Sequence, residues 1–198
     1  MSRQRSKFNL TRRISYGIAL AVMLSSTAVA EDSDTMLWQA IASGQAVALL
    51  RHATAPGFGD PDDFTLGDCS TQRNLSKAGR VEARRIGDRF RSHGIKHAFV
   101  RASQWCRALD TARLLDLGPV TSTPALNSFF EDRDSRTAQT QAVKQLILDQ
   151  SIKRPRVFVT HQVNIMALTG QSAASGELVI VRPVAGALQT LGRIPAPE

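Results

Sequence analysis

Short runs of bulky apolar residues alternate along this chain with longer segments whose apolar residues recur at helical spacing. The runs predict buried strands over residues 46–50, 97–101, 120–122 and 156–160. The segments predict helices over residues 34–43, 76–92, 137–150 and 163–168, and one more that Ser103 caps. Residues 178–181 and 187–191, joined through Pro183 and Gly186, predict a final hairpin. Strands that alternate with helices favour an α/β fold, here a single-domain three-layer sandwich with a mostly parallel central sheet, helices on both faces and a C-terminal hairpin.

The first thirty residues are predicted to be a secretory signal peptide. Five basic residues and no acidic ones precede a short apolar stretch over residues 14–22, and Ala28-Val29-Ala30 gives a small-x-small cleavage site before Glu31. The apolar stretch is too short for a stable membrane anchor, although an uncleaved anchor is the alternative. We expect residues 31–198 to form a mature domain that is periplasmic or secreted. The pair Arg12-Arg13 leaves both general secretion and twin-arginine export open.

Charge argues against a nucleic-acid partner once the signal peptide is set aside. The whole chain carries 25 Lys and Arg against 17 Asp and Glu. Five of these basic residues lie in the predicted signal peptide, so the mature domain keeps 20 against 17, a net charge of +3. Its basic helix has no interleaved aromatic residues of the kind that stack on bases. The sequence predicts no oligomeric state.

The chain has two cysteines, Cys69 and Cys106. An even pair in an exported domain is a disulfide candidate, and two independent thiols are the alternative. A cysteine-based zinc site is not expected, because neither residue has a partner at the spacing of zinc ligands.

Two of the predicted strands are followed at once by a histidine, and these positions carry the candidate chemistry. Arg51-His52 ends one run and His161 ends another, at the sheet edge where open α/β proteins bind ligands. Arg107 falls in the first turns of a predicted helix, where free backbone N–H groups and a guanidinium fork both favour an anion. Singly, such histidines are more often packing residues and such an arginine is often a surface residue. Together with a carboxylic acid they would form a phosphoryl-transfer pocket.

Four segments resemble the motifs of the histidine phosphatase superfamily, the phosphoglycerate-mutase-like proteins, and they occur in that family's order. These segments are Leu50-Arg51-His52-Ala53, residues 73–80, residues 103–112 and Val159-Thr160-His161-Gln162. The family's usual Arg-His-Gly is Arg-His-Ala here, which leaves the imidazole available. The resemblance implies a covalent mechanism without metal or cofactor. In this mechanism, His52 becomes phosphohistidine. Arg51 and Arg107 bind the phosphoryl group, and His161 stabilises the transferring charge.

The resemblance also suggests the general acid and the place of the cysteines. Small bacterial members often carry the acid shortly after a Pro-x-Leu segment. This predicts Glu131, with Asp132 as the rival and a solvated loop carboxylate as the alternative for either. The family packs the segment after Cys69 close to the phosphate pocket. A Cys69–Cys106 disulfide would therefore tie an entrance loop to the helix of Arg107.

The sequence thus predicts a metal-independent phosphomonoesterase that acts on an exported or envelope phosphate ester, with a small phosphorylated substrate as its partner. The chain lacks the long insertions of true phosphoglycerate mutases and phytases. A catalytically silent phosphate-ligand or protein-binding module on the same fold is the alternative. Aspartates of the entrance loop, Asp60 among them, are an unusual lining for a phosphate pocket. They are expected either to face solvent or to select a cationic group of the substrate.

Overall fold

The structure is a computed structural model that describes residues 34–197, and the residues from Met36 onward form one compact unit. The helices are α1 over residues 34–42, α2 Lys77–Ser92, α3 Cys106–Leu114, α4 Arg136–Leu148 and α5 Gln162–Thr169. The strands are β1 Val47–Arg51, β2 Phe99–Ala102, β3 Val120–Ser122, β4 Arg156–Thr160, β5 Leu178–Val184 and β6 Ala187–Ile194. Single turns of 3₁₀ helix occupy Cys69–Thr71, Pro124–Leu126 and Arg133–Ser135. The predicted signal peptide lies outside the described residues.

The six strands form one mixed sheet in the order β3-β2-β4-β1-β5-β6. The first four are parallel, and β5 and β6 form an antiparallel hairpin beside β1. The predicted mostly parallel sheet with a closing hairpin is therefore confirmed. The register pairs Arg51 with Thr160, so β1 and β4 end side by side. The residue that follows each strand consequently emerges at the same edge of the sheet.

The hairpin turn differs from the prediction. Pro183 lies within β5, and the turn is made by Ala185 and Gly186, both with positive φ. The pairing of β5 with β1 reaches only Val181. At Pro183, β5 therefore has β6 on one side only, and a strand tolerates a missing N–H at such an edge.

Helices cover both faces of the sheet, as predicted, because β1 alternates its side chains between two apolar clusters. Ala48 and Leu50 lie in the cluster that α1, α2 and α3 complete. Val47 and Leu49 lie in the cluster that α4 and α5 complete. The parallel strands are thus buried from both sides, and a ligand can approach them only at their ends.

Helix α2 holds the loop that follows β1. Its N-cap is Ser76, as predicted, whose hydroxyl accepts a hydrogen bond from Gly79 N at 2.9 Å. A Cβ at Gly79 would lie only 2.0 Å from the carbonyl oxygen of Thr54, so glycine is required where the loop crosses the helix. The amide of Ser76 also donates to this carbonyl at 3.1 Å. The chain leaving the end of β1 is therefore fixed against the first turn of α2.

Helix α3 begins later than predicted. Trp105, not Ser103, occupies the N-cap position and makes no side-chain capping bond. The first-turn amide of Cys106 is satisfied instead by the side-chain oxygen of Gln72 at 2.9 Å. The Ser103 hydroxyl accepts instead from the Trp105 amide at 3.3 Å, before the helix begins, and contacts His161 Nε2 at 2.8 Å. The predicted capping role of Ser103 is wrong because the N-cap of α3 lies two residues further along the chain.

Candidate active site

The two strand-end histidines lie together, as the parallel register requires. His52 follows β1 and His161 follows β4, and their ring centroids are 5.4 Å apart. The amide of His52 donates to the carbonyl of Thr160 at 3.0 Å, which joins the two strand ends. Both histidines are almost fully buried. The Ser103 hydroxyl holds the His161 ring through Nε2 and donates in turn to Asn127 Oδ1 at 3.3 Å.

The His52 ring is oriented for attack by one nitrogen. Its Nδ1 lies 2.8 Å from the carbonyl oxygen of Ala53, so Nδ1 carries the proton and Nε2 the lone pair in the neutral ring. Burial lowers the pKa of His52 to about 3; the Ala53 carbonyl opposes this shift, and the charges of Arg107, Arg51 and Arg73 add to it. The ring is therefore neutral near pH 7 and has an unprotonated nitrogen.

The pKa of His161 also lies well below its ordinary value. Burial is the main cause, and proximity to His52 and to the arginines Arg107, Arg73 and Arg51 adds to it. Both imidazoles are accordingly uncharged near pH 7. The positive charge of the pocket comes from its guanidinium groups.

Arg51 and Arg107 each have a buried Nε–H group that lacks a hydrogen-bond partner within the described residues. Both arginines line the same pocket as His52. The NH1 group of Arg51 donates a hydrogen bond to the Ala173 carbonyl oxygen at 2.8 Å. A buried donor left unpaired costs about 1–3 kcal/mol, so two arginines with such donors in the wall of one pocket favour an anion site.

Arg73 is a third cation of the pocket, for which the sequence predicted no role. It lies in one of the four motif segments, and its side chain donates to the carbonyl oxygens of Gly59, at 2.7 Å, and Ala55. Burial lowers the pKa of Arg73, and the positive charge of Arg107 lowers it further. The motif marked this position, but the residue's contacts depend on a loop whose path the sequence did not show.

Asp60 is bound to Arg107 inside the pocket. Its two carboxylate oxygens accept from NH1 at 2.6 Å and from NH2 at 3.0 Å, and the two side chains are only 9% and 4% exposed. Trp105 Nε1 and the amide of Arg73 also donate to the carboxylate. Burial alone would raise the pKa of Asp60, but the hydrogen bonds and charge of Arg107 outweigh it, so the pKa is below its ordinary value.

These contacts exclude both expectations for Asp60, exposure to solvent and selection of a cationic substrate group. The carboxylate instead neutralises and fixes an internal arginine. Sequence reasoning missed this role because the two residues are 47 positions apart and no local pattern links them.

Of the two candidate acids, Glu131 reaches the pocket and Asp132 does not. Glu131 is one of the residues that line it, and its Oε1 lies 3.3 Å from where a Cβ on Gly59 would stand. Asp132 occupies the N-cap position of the turn Arg133–Ser135, and its carbonyl accepts from the Ser135 hydroxyl at 2.9 Å. The geometry therefore favours Glu131 for the proton transfer, a role that stays a prediction.

The pocket has a volume of about 110 Å³ and combines the two histidines, three arginines and two carboxylates with an aromatic rim of Phe58, Trp105 and Phe130. Within residues 34–197, no group of three or more His, Cys, Asp and Glu side chains is arranged to hold a metal ion. None of the helices in this part of the chain combines the length and apolarity needed to cross a membrane.

Cys69 and Cys106 form a disulfide, as the sequence suggested. The bond joins the turn Cys69–Thr71 to the first residue of α3, directly before Arg107. The entrance loop, residues 54–71, is thus held to α3 at two places, by the disulfide and by the pairing of Asp60 with Arg107.

Comparison with known proteins rests on structure. No protein-family model matches the chain. No curated protein matches it either. Three similar solved structures are the protein histidine phosphatase SixA complexed with tungstate, a phosphoserine phosphatase mutant from Entamoeba histolytica in complex with phosphoserine, and a mycobacterial glucosyl-3-phosphoglycerate phosphatase with VO3.

The SixA structure has 14% identity and a TM-score of 0.55, and the match covers 76% of this chain and 96% of that chain. The phosphoserine phosphatase has 14% identity and a TM-score of 0.53, with 75% and 95% covered. The mycobacterial phosphatase has 15% identity and a TM-score of 0.53, with 74% and 96% covered. At these identities the likeness establishes a shared fold.

Proposed function

We propose that this chain, whose fold is that of the histidine phosphatase superfamily, is a phosphomonoesterase that works through a phosphohistidine at His52. One observation carries the proposal: a neutral, oriented imidazole lines one pocket together with two arginines whose buried Nε–H donors lack a partner within the described residues. A phosphoryl group at this place would meet a nucleophile and the donors its oxygens need. The structural neighbours named above as phosphatases support the same conclusion.

In the first proposed step, the lone pair on His52 Nε2 attacks phosphorus and the ester P–O bond breaks. Arg51 and Arg107 hold the phosphoryl oxygens through their Nε–H groups, and His161 lies beside the transferring group. Glu131 acts as the general acid and gives a proton to the leaving alcohol oxygen. The products of this step are the free alcohol and a phosphohistidine.

In the second proposed step, the Glu131 carboxylate takes a proton from a water molecule, whose oxygen attacks phosphorus. The P–N bond breaks, its electron pair returns to Nε2, and inorganic phosphate leaves. No metal ion or cofactor is needed in this scheme, because His52 supplies the nucleophile, the arginines supply positive charge and Glu131 moves the proton.

We also propose that the protein acts outside the cytoplasm, on an exported or envelope phosphate ester. The Cys69–Cys106 disulfide supports this proposal, because such bonds persist in oxidising compartments. Amino-terminal sequencing of the protein recovered from the periplasm tests it. A chain that begins at Glu31 is the expected result, and an intact amino terminus would contradict cleavage.

Rapid-quench labelling with a phosphate ester that carries radioactive phosphorus tests the nucleophile. The wild type should yield an acid-labile, base-stable phosphoenzyme, and His52→Ala should yield none. His97→Ala, which changes an exposed histidine, is the matched control and should label like wild type. Turnover should be unaffected by a chelator. If wild type neither labels nor releases phosphate, the silent binding module is the better description.

Leaving-group dependence tests the acid. Glu131→Gln should lower kcat/KM for an alkyl phosphate by about 10²-fold or more, since general acid catalysis typically contributes this much. It should affect 4-nitrophenyl phosphate much less, because that leaving group departs without a proton. Asp132→Asn is the control. Equal losses of kcat/KM on both esters would show that Glu131 does not protonate the leaving group.

A further inference from the structure

A second cavity opens directly beside the catalytic pocket. It has a volume of about 480 Å³, and it shares Phe58, Phe130, Gln162 and Val163 with the pocket. Because of these shared walls, a group attached to a phosphoryl bound at His52 would extend into this groove. The catalytic pocket itself, at about 110 Å³, has room for little beyond the phosphoryl group.

Phe58 gives the groove an aromatic rim. Its side chain is 86% exposed, and it meets Phe130 edge to face with ring centroids 4.9 Å apart. It lies between Gly57, with φ +95°, and Gly59, with φ +64°. Gly59 approaches Glu131 and Gly57 approaches Arg73, so the backbone that carries this exposed ring runs close to the proposed reacting groups. Met166, 39% exposed, lines the same groove, so its surface combines aromatic and flexible apolar contacts.

The groove also carries positive charge. Arg133 and Arg136 line it, and neither forms an ion pair within residues 34–197. Asp132 and Asp134, which flank Arg133 in sequence, are not among the lining residues. A ligand in this groove therefore meets apolar surface next to the catalytic pocket and two guanidinium groups beside it.

We propose that this groove binds the leaving group of the substrate, and that the preferred substrates are phosphate monoesters whose alcohol has an aromatic or similarly apolar body ending in an anionic group. The proposal rests on the proposed function and adds the substrate class to it. The phosphoryl group occupies the pocket at His52, the apolar body lies against Phe58, and the anionic end meets Arg133 and Arg136. Phosphate esters of small, purely polar alcohols gain none of these contacts.

Three esters that differ only in the terminal charge test the proposal: 4-(2-carboxyethyl)phenyl, 4-propylphenyl and 4-(2-aminoethyl)phenyl phosphate. Two methylenes separate the charge from the ring, so the leaving phenols have similar acidity. The kcat/KM of wild type should decrease in that order. The carboxyethyl and aminoethyl esters should differ about tenfold, as expected for two partly solvated charge pairs. Raising the salt concentration should compress this range.

Variants assign the preference to the groove. Phe58→Ser should lower kcat/KM for the aryl esters about tenfold relative to glycerol phosphate, from the lost aromatic contact. Leu66→Ser, an exposed apolar residue of the same loop, is its control. Arg136→Gln should reduce the advantage of the carboxyethyl over the propyl ester about threefold. Arg84→Gln, on the exposed side of α2, is its control and should leave that advantage unchanged.

Binding measured by calorimetry on His52→Ala separates the two proposals, because it needs no turnover. The same charge order in Kd supports the groove even if no ester is hydrolysed, an outcome that would defeat the proposed function alone. Hydrolysis of all three esters with equal kcat/KM, with equal Kd values, would overturn the groove and leave the phosphatase standing. Binding to phosphatidylglycerol vesicles that depends on Phe58, without any preference among the esters, would identify a membrane-binding surface and also overturn it.

Discussion

The buried, neutral state of His52 should make the stability of the protein depend on pH. The pKa of His52 is about 3 in the folded protein, against 6.5 for an unperturbed histidine. Below pH 6.5 the unfolded chain binds a proton that the folded ring does not bind. The stabilisation is therefore complete above pH 6.5 and is lost as the pH falls towards 3.

The expected size follows from linkage. Between pH 7.5 and pH 5, the proton taken up by His52 in the unfolded state lowers the free energy of unfolding by about 2 kcal/mol. Continuing to pH 3 would bring the loss to about 4 kcal/mol. We choose pH 5 because the carboxyl of Asp60, whose folded pKa is below its ordinary value, stays largely ionised there in both states. His161, with a pKa also lowered, adds a loss in the same direction.

Urea unfolding at pH 7.5 and pH 5 measures the effect on wild type, His52→Gln and His97→Gln. The replacement at His52 removes one titrating group and should reduce the pH-dependent loss of stability by about 2 kcal/mol. The exposed His97 serves as the control and should leave the loss as in wild type. The same pH-dependent loss in His52→Gln as in wild type would show that the folded ring binds its proton normally, which would refute the buried, neutral state.

Two further predictions concern the groups that fix Arg107. Asp60→Asn should destabilise the protein by about 3 kcal/mol, because it leaves a buried guanidinium without its counter-charge. It should also lower kcat more than it raises KM. The control, Asp63→Asn at an exposed position, should do neither when both variants are assayed by urea unfolding and steady-state kinetics. Replacing Cys69 and Cys106 together by serine removes a link across 37 residues and should lower the free energy of unfolding by about 4 kcal/mol; an unchanged urea midpoint would show that the bond adds no stability.

Elements whose signals are local could be predicted from the sequence. The bounds of β3 and β4 agree with the predicted runs, and α2 begins after its predicted cap, Ser76. The placing of His52 and His161 at the ligand-binding edge of the sheet followed from the same local signals, because each residue follows a predicted strand. The strand order, which makes β1 and β4 neighbours and brings the two rings together, has no local signal.

Features that depend on distant partners could not be predicted. Ser103 has the sequence position of a helix cap, but its hydroxyl contacts His161, 58 residues further along the chain. The pairing of Asp60 with Arg107 could not be predicted, because the loop that carries Asp60 has no periodic pattern. Arg73 was marked by a motif, yet its role in the pocket depends on the path of the same loop. In each case a tertiary contact decides what a residue does.

The two attachments of the entrance loop connect phosphate binding with recognition of the leaving group. A long glycine-containing loop is ordinarily mobile, and a mobile rim would lose entropy each time a substrate bound. Here Asp60 pairs with Arg107 and Cys69 is bonded to Cys106, so the loop is fixed to the helix that carries the phosphate-binding arginine. Phe58 stands only two residues before Asp60. The same carboxylate that orients Arg107 therefore also limits where the backbone at Phe58 can lie. A substrate would thus meet a groove and a phosphoryl site already held at a set distance, which is the condition for binding energy along the leaving group to favour the transfer at phosphorus.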